Sequence, residues 1–224
     1  AVSYQPGEPL VIEELEIEEP RVGEVLVKMS AVGLCHSDYH VMAGDRPVGM
    51  RPIVLGHEGA GVVEAVGTGV TRIRPGDHVV LTFIPSCGTC RFCVSGMSHA
   101  CVLGARIAKG PQLDGTYRLR NTAGQNVGQF CLLGAFSEYA VVNQDSVCVI
   151  DKRYPLDAAC LVGCGVVGGF GAVVHRAKVR PGSSGRSDIQ TTWASNWSAT
   201  SGGASAAAIR SPRETSTSGV SVRV

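Results

Sequence analysis

The sequence predicts a mainly β protein with some α-helix, folded as a barrel or a sandwich. Short valine-rich runs, separated by glycine and proline, recur up to residue 150, and such runs are typical of strands joined by turns. A glycine-rich stretch after residue 155 has the features of a helix start, and the composition changes abruptly at Gly182. With 224 residues, the chain is long enough for one domain with a hydrophobic core.

Four valine-rich runs are the predicted strands. They are EVLVKMSAVGL at 24–34, GAGVVEAVG at 59–67, GDHVVLTFI at 76–84 and FSEYAVVNQDSVCVI at 136–150. Pro155 and Asp157 predict the start of a helix. Five glycines from Gly163 to Gly171 predict that a tight turn breaks this helix.

Charge and hydropathy limit the partners of the chain. The formal net charge is +1 and 17% of the residues are charged, which leaves neither a basic face for nucleic acid nor an acidic tail for a basic partner. No uninterrupted apolar run reaches the roughly 18 residues that cross a bilayer, and the N-terminal residues lack the layout of a signal peptide. We therefore expect a cytoplasmic protein with a small-molecule partner and with no nucleic-acid or membrane partner.

Residues 182–224 differ in composition from the rest of the chain. They contain 16 Ser or Thr in 43 positions and no Leu, Phe, Met, Tyr, Cys, His or Lys. Such a segment cannot bury enough apolar surface to offset the entropy cost of ordering it. We therefore expect a domain at 1–181 followed by a disordered, low-complexity tail at 182–224.

The segment CGTCRFCVSGMSHAC carries the strongest chemical signal. Its cysteines are separated by two, two and seven residues, and they are Cys87, Cys90, Cys93 and Cys101. This spacing lets one loop surround a tetrahedral zinc ion with four thiolates, which leaves no open position and indicates a structural site. An iron–sulfur cluster is the alternative for four cysteines, and buried thiols or a disulfide knot are a third interpretation. The cysteines that lack ligand spacing, and that we expect in the core, are Cys131, Cys148 and Cys160.

A second group of potential metal ligands is spread along the chain. The segments GLCHSDYH, GHEGAG and LVGCGVVGG contribute Cys35, His57 and Cys164. Each residue alone would be an ordinary packed side chain, but the glycine pattern G-H-E-x-x-G-x-x-x-x-x-G at 56–67 makes the set recognisable. On these motifs the chain, from residue 1 to about 182, resembles the zinc-dependent alcohol dehydrogenases of the medium-chain dehydrogenase/reductase superfamily. His36 and the segment FIPSCGTC are similar to the class III, formaldehyde-dehydrogenase-like branch.

The resemblance implies a GroES-like barrel catalytic domain that carries a structural zinc loop. It implies that Cys35, His57 and Cys164 hold a catalytic zinc with a fourth position open for water or substrate. The four closely spaced cysteines would hold the structural zinc, which makes two Zn²⁺ per chain. The implied reaction is oxidation of an alcohol or a hemithioacetal, with the metal as a Lewis acid and hydride transfer to NAD. Members of the family are homo-oligomers.

The resemblance also assigns the residues around the catalytic metal. Ser37 and His40 would form the relay that carries the alcohol proton out of the pocket. His36 would contact the cofactor. Asp38 would accept a hydrogen bond from the zinc-binding histidine and fix its tautomer, and Glu58 would lie behind the metal.

Two features depart from the family pattern. Residues 165–167 are Gly-Val-Val, where most members include a threonine that helps to seat the nicotinamide. After the segment Val-Arg-Pro-Gly at 179–182, members have a strand, a G-x-G-x-x-G loop and a helix that bind the dinucleotide. Residues 183–224 contain no such loop. A Rossmann domain is therefore absent from this sequence, and we expect the chain alone not to complete the reaction.

Two interpretations of the whole chain stay open. The first is an alcohol dehydrogenase catalytic domain whose residues 183–224 are read out of frame, because leucine and lysine disappear and both tryptophans appear where the family's next strand begins. A natural linker is the alternative for that segment. The second is a non-catalytic, zinc-binding GroES-like module, retained for folding or for contact with a partner that supplies the cofactor domain. Binding and turnover of the nicotinamide cofactor would separate the two.

Overall fold

The computed structural model describes residues 1–182 and two short strands at 209–210 and 222–223. The strands are β1 Val2–Ser3, β2 Glu14–Ile17, β3 Glu24–Gly33, β4 Ile53–Val54, β5 Glu58–Val66, β6 His78–Leu81, β7 Leu119–Asn121, β8 Asn126–Gln129, β9 Tyr139–Asn143, β10 Val147–Ile150, β11 Ile209–Arg210 and β12 Val222–Arg223. The α-helices are α1 His36–Ala43, α2 Arg91–Val94, α3 Leu156–Ala159 and α4 Gly165–Gly171. Short 3₁₀ turns occur at Ser98–Ala100, Val102–Arg106, Phe130–Leu132, Gln144–Ser146 and Cys160–Gly163, and a π-helical turn at Ala172–Arg176.

These strands form two sheets, which confirms the prediction of a mainly β fold with some α-helix. One sheet has the order β1-β4-β8-β7-β2-β12, and the other has the order β10-β6-β5-β3-β11, with β9 also paired to β3. Strand pairs within the described residues are antiparallel, except that β4 and β8 are parallel. The described part of the chain contains no doubly wound parallel sheet of the Rossmann type.

The central strand β3 organises the core. Its buried residues Val25, Val27 and Met29 alternate with less buried ones, as expected for a strand with one face toward the core. They belong to the largest apolar cluster, which also includes Leu81 and Phe130. The predicted strands at 24–34, 59–67 and 76–84 are thus confirmed as β3, β5 and β6.

The predicted run at 136–150 forms two strands instead of one. Strands β9 and β10 are separated by a 3₁₀ turn that begins after Asn143. The side chain of Asn143 accepts a hydrogen bond of 2.8 Å from the backbone N–H of Asp145, which stabilises the turn and ends the strand.

The helix predicted after Pro155 is present and is broken as expected. Pro155 is the N-cap of α3, and the backbone of Cys164, with φ −145° and ψ −68°, interrupts the helical path before α4. The segments Leu156–Gly163 and Gly165–Arg176 meet at 55°. Among the described residues no single helix is long and apolar enough to span a membrane, although this bent pair meets the length and composition limits jointly.

The predicted tail falls mostly outside the described residues. The exceptions are Gly182 and the strands β11 and β12, of which β11 pairs with β3 and β12 pairs with β2. The expectation of disorder at 182–224 and its out-of-frame interpretation stay predictions.

One core prediction is wrong. Cys131 and Cys160 are buried as expected, but Cys148 is exposed. Strand β10 is the edge of its sheet, and Cys148 faces an open apolar groove of about 740 Å³ that Ile150 and Val162 also line. An apolar residue pattern on an edge strand does not reveal whether a further layer covers it.

A buried ion pair joins the two sheets. Arg118, which precedes β7, is almost fully buried and makes two hydrogen bonds of 2.7 Å to the carboxylate of Glu24, the first residue of β3. The same guanidinium reaches Asp114 at 2.7 Å and the hydroxyl of Thr116 at 2.6 Å. Because both charges are removed from water, the pair is stable only while every partner is in place.

We therefore predict that Glu24→Gln destabilises the fold by about 3 to 5 kcal/mol, because it removes the buried counter-charge of the guanidinium and leaves it only the partly exposed carboxylate of Asp114. Chemical denaturation followed by circular dichroism measures the change. The matched control is Glu18→Gln, whose carboxylate pairs with Arg21 at the surface and which we expect to cost at most about 1 kcal/mol. Equal losses in the two variants would contradict the structural role of the buried pair.

Candidate active site

Strand pairing brings the first two predicted ligands of the catalytic metal together. Strands β3 and β5 run antiparallel with Gly33 opposite Glu58, so the chain that leaves β3 passes the chain that enters β5. Cys35 follows β3 and is the N-cap residue of α1, and His57 directly precedes β5. The register of two strands thus brings residues that are 22 positions apart in sequence close together.

The third predicted ligand, Cys164, lies at the break between the 3₁₀ turn Cys160–Gly163 and α4. Cys164 is the N-cap residue of α4 and follows the 3₁₀ turn that packs on the sheet. A Cβ atom at Gly163 would collide with the carbonyl oxygen of Leu81 in β6. Only glycine therefore lets the backbone approach the sheet closely enough to bring Cys164 beside His57.

The three predicted ligands and Glu58 form one cluster. The ligand atoms of Cys35, His57, Glu58 and Cys164 all lie within 4.8 Å of one another. Nδ1 of His57 lies 3.1 Å from both carboxylate oxygens of Asp38, with hydrogen-bond geometry at Oδ1. Because a carboxylate can only accept, Nδ1 carries a proton, and Nε2 is the nitrogen that can bind a metal, with release of any proton that it holds. Two thiols and one imidazole are a known donor set of catalytic zinc sites, so these residues fit a zinc ion.

The charges of this cluster are strongly coupled. The hydrogen bond with Cys164 lowers the pKa of the Cys35 thiol to about 3, against the opposing effect of burial. The same hydrogen bond, with burial, raises the pKa of Cys164. Burial lowers the pKa of His57, but hydrogen bonds with Asp38 and Cys35 outweigh it and raise that pKa to about 10. Burial also raises the pKa of Glu58 to about 7. The two thiols and the Glu58 carboxyl cannot all be negatively charged at such short distances without strong repulsion. A bound cation would offset this repulsion and is therefore favoured.

Two aromatic rings that the sequence analysis did not single out flank His57. The ring centroids of Phe83 and Phe130 lie 5.7 and 5.8 Å from that of His57, and both rings are nearly perpendicular to the imidazole. Cys131 and Leu132, which follow Phe130, have positive φ values of 57° and 62°, a conformation that is uncommon outside glycine. No ligand spacing marks either phenylalanine, so the sequence offers no signal for their contact with His57.

Helix α1 carries the residues assigned to the proton relay and the cofactor. Ser37 and His40 are three positions apart, so they lie on the same side of the helix. Nδ1 of the half-exposed His40 lies 3.1 Å from Oδ2 of Asp45, a partner that the sequence analysis missed. The ring of His36 is stacked on that of His40, with 4.4 Å between centroids. The relay and cofactor roles of these residues stay predictions.

The cysteine-rich loop forms a separate cluster. The Sγ of Cys87 lies 3.6 Å from that of Cys101 and 4.0 Å from that of Cys93, and Cys90 and Cys101 are also 4.0 Å apart. Thiolates at about 2.3 Å from a tetrahedral zinc lie about 3.8 Å from one another, so the loop could hold one zinc ion. Backbone N–H groups of Val102 and Cys93 lower the pKa of Cys90 to about 6, which favours its thiolate form. The short sulfur separations suit a single ion better than a cluster of several irons.

The two clusters should respond differently to loss of a thiol. We predict that Cys90→Ser lowers thermal stability strongly, because metal binding by a closed loop is itself folding energy of about 10 kcal/mol or more in small structural sites. Cys164→Ser should lower it less, since the apolar core lies in the sheets. Cys148→Ser, at the exposed groove, is the control and should change the free energy of unfolding by less than about 0.5 kcal/mol. Equal losses for Cys90→Ser and Cys164→Ser would contradict the division into two kinds of site.

Comparison with known proteins places the chain in a family. The family model described as the alcohol dehydrogenase GroES-like domain matches residues 21–152. The chain is 50% identical over 182 residues to putative alcohol dehydrogenase D of Mycobacterium tuberculosis, with 81% of this chain and 49% of the relative covered. It is 51% identical over 182 residues to the NDMA-dependent alcohol dehydrogenase of Amycolatopsis methanolica, with 81% and 48% covered.

A solved structure gives the same result for the fold. The alcohol dehydrogenase zinc-binding domain protein from Burkholderia ambifaria matches with a TM-score of 0.76 and 41% identity, over 82% of this chain and 50% of that chain. The chain thus spans about half the length of the curated relatives that it matches. The two-sheet fold is the GroES-like fold that the sequence resemblance implied, and the chain belongs to the alcohol dehydrogenase GroES-like domain family.

Proposed function

We propose that residues 1–181 are the catalytic domain of a zinc-dependent alcohol dehydrogenase that oxidises a small alcohol with NAD as the hydride acceptor. The observation that carries the proposal is the cluster of Cys35, His57 and Cys164, which offers two sulfurs and one imidazole nitrogen with a fixed tautomer. If Glu58 lies behind the metal, as the family resemblance implies, these three ligands would leave a position for substrate, unlike the four thiols of the closed loop. The names of the relatives support the same activity.

The chain's own residues would perform the proton chemistry. Cys35, His57 and Cys164 would hold a zinc ion, which would supply a Lewis acid that lowers the pKa of an alcohol hydroxyl. Ser37, two residues after Cys35, carries the hydroxyl that the family resemblance assigns to the relay, and it would pass the substrate proton toward His40. His40 donates its Nδ1–H to Asp45, so Nε2 is the nitrogen that accepts the proton. With 45% of its side chain exposed, His40 can then release the proton to water.

The residues behind the ligands would keep the site in shape. Asp38 accepts hydrogen bonds from the His57 ring at 3.1 Å and from the backbone N–H of Gly56 at 2.9 Å. It would thus keep a proton on Nδ1 of His57 and hold the ring in one orientation. The rings of Phe83 and Phe130 lie nearly perpendicular to the imidazole and would exclude water from around it. These contacts orient His57 without taking part in the reaction.

The substrate and the cofactor are the finer part of the proposal. NAD as acceptor rests on the family resemblance, and His36 at the start of α1 is the residue that we assign to its contact. The similarity of His36 and the segment FIPSCGTC to the class III branch adds a second candidate substrate beside a simple alcohol, namely a hemithioacetal of formaldehyde and a thiol. The two substrates can be compared in a protein that also contains the residues completing the cofactor site. The rates of turnover of the hemithioacetal and of primary alcohols then decide between them. We further assign the protein to the cytoplasm, whose reducing conditions suit nine unpaired cysteines.

A non-catalytic module is the second candidate function, and one observation favours it. The first six residues of α4 are exposed, and they include Val166, Val167 and Phe170 at 50%, 60% and 63% exposure. Together with the groove beside Cys148, these side chains form an exposed apolar surface of the kind that contacts another polypeptide. A zinc-binding module that docks on a partner would need this surface but no open metal position.

The zinc content tests the metal part of the proposal. We predict that freshly purified, unchelated chain contains about two zinc ions, one in each cluster. His57→Gln should reduce the content to about one, since an amide is a poor replacement for an imidazole ligand. His175→Gln, on an exposed turn, should keep both. One zinc or fewer in the unaltered chain by elemental analysis would refute the two-site assignment.

Alcohol binding tests the open position and separates the two candidate functions. With Co²⁺ in the site of Cys35, His57 and Cys164, we predict that a primary alcohol shifts the visible absorption of the cobalt, because the substrate enters a position that the protein leaves free. Cys148→Ser should keep the shift, and Cys164→Ser should lose it. A cobalt-loaded chain whose spectrum does not respond to alcohols would favour the module.

A further inference from the structure

Two histidines on the first turns of α1 form a pair outside both cysteine clusters. His36 and His40 are four positions apart, which places their side chains one above the other on the same face of the helix. Their rings are stacked, with 4.4 Å between centroids and 26° between planes. Rotation of the two side chains out of this stack, about their χ angles, can point one nitrogen of each ring toward a shared point.

The carboxylate of Asp45 orients the ring of His40. Nδ1 of His40 lies 3.1 Å from Oδ2 of Asp45, and since the carboxylate can only accept, Nδ1 carries the proton. Nε2 of His40 then has a free lone pair. A metal-binding histidine usually donates its second ring nitrogen to a carboxylate in this way, which fixes the ring and increases its basicity.

We propose that His36 and His40 form a surface chelate for a divalent transition-metal cation such as Zn²⁺, Ni²⁺ or Cu²⁺. Imidazole is a preferred ligand of these cations. Each ring would contribute one nitrogen, and Nδ1 of His40 would keep its contact with Asp45. His40 and Asp45 are 45% and 62% exposed, which lets the cation enter from solvent and lets water complete its coordination.

This site is distinct from the two clusters already described. Those clusters each bring three or four ligand atoms of cysteine, histidine or glutamate within 4.8 Å of one another. The histidine pair offers two protein ligands, so we expect it to bind a cation more weakly and reversibly. The pair is therefore the third site to fill, after the cysteine clusters hold zinc.

A cation bound to the pair would also oppose turnover, a consequence that rests on the proposed function. The cation occupies Nε2 of His40, the same nitrogen that accepts the proton in the proposed relay. Binding of the third cation and relay of the proton thus exclude each other. Binding itself does not depend on the relay, so the chelate can be tested whether or not the enzyme assignment holds.

Titration of the zinc-loaded chain with Ni²⁺ tests the chelate. By isothermal titration calorimetry, with zinc content measured before and after, we expect one reversible Ni²⁺ equivalent in addition to the retained zinc. His36→Gln and His40→Gln should each remove it, whereas Asp45→Asn should weaken it by about tenfold or more. The control His175→Gln should leave it unchanged.

Several outcomes would overturn the chelate. They are no Ni²⁺ binding by the unaltered chain, binding that survives either histidine variant, and binding that His175→Gln also removes. A second measurement on the unaltered chain does not depend on how the variants fold: paramagnetic Ni²⁺ should broaden the ring proton resonances of His36 and His40 first. Initial broadening of other histidines in place of these two would equally refute the site.

Discussion

The pairing of β3 with β5 is the constraint on which the candidate site depends. Their register sets Gly33 opposite Glu58, and this alone fixes where the chain turns into α1 and where it enters β5. A slip of one residue would turn every side chain of a strand to the other face and would separate the thiol of Cys35 from the imidazole of His57. The core residues of β3 resist such a slip, because Val25, Val27 and Met29 would then face solvent. Packing in the core therefore maintains the geometry of the ligands.

The sequence revealed those features whose residues lie close together or carry a strong local pattern. The cluster of the cysteine loop was predictable because its four cysteines fall within 15 positions, and the break at Cys164 was predictable because glycines surround it. Contacts that depend on how the chain folds were not predictable from the sequence. The pairing of Asp45 with His40 depends on how the turn after Gly44 returns to the helix, with Gly44 at φ 91°. The exposure of Cys148 depends on which strand lies at the edge of the sheet.

The two cysteine clusters differ because different parts of the fold hold them. In the loop, neighbouring residues supply all four sulfurs, and backbone N–H groups such as that of Val102 point at them. In the other cluster, ligands come from the end of one strand, the start of a second and the start of a helix. The first arrangement is local and closed. The second is long-range, and its geometry depends on how three elements pack together.

The burial of Arg118 has a consequence for how the fold opens. Its guanidinium precedes β7 in one sheet, and its partner Glu24 begins β3 in the other, so neither sheet can separate without exposing a charge that has lost its partner. Amide hydrogens in the two sheets should then exchange with solvent as one cooperative unit, although the described strands of one sheet are not paired with those of the other. Motions that admit solvent would be confined to elements outside the two sheets that this ion pair joins, such as α4 and the turn that follows it.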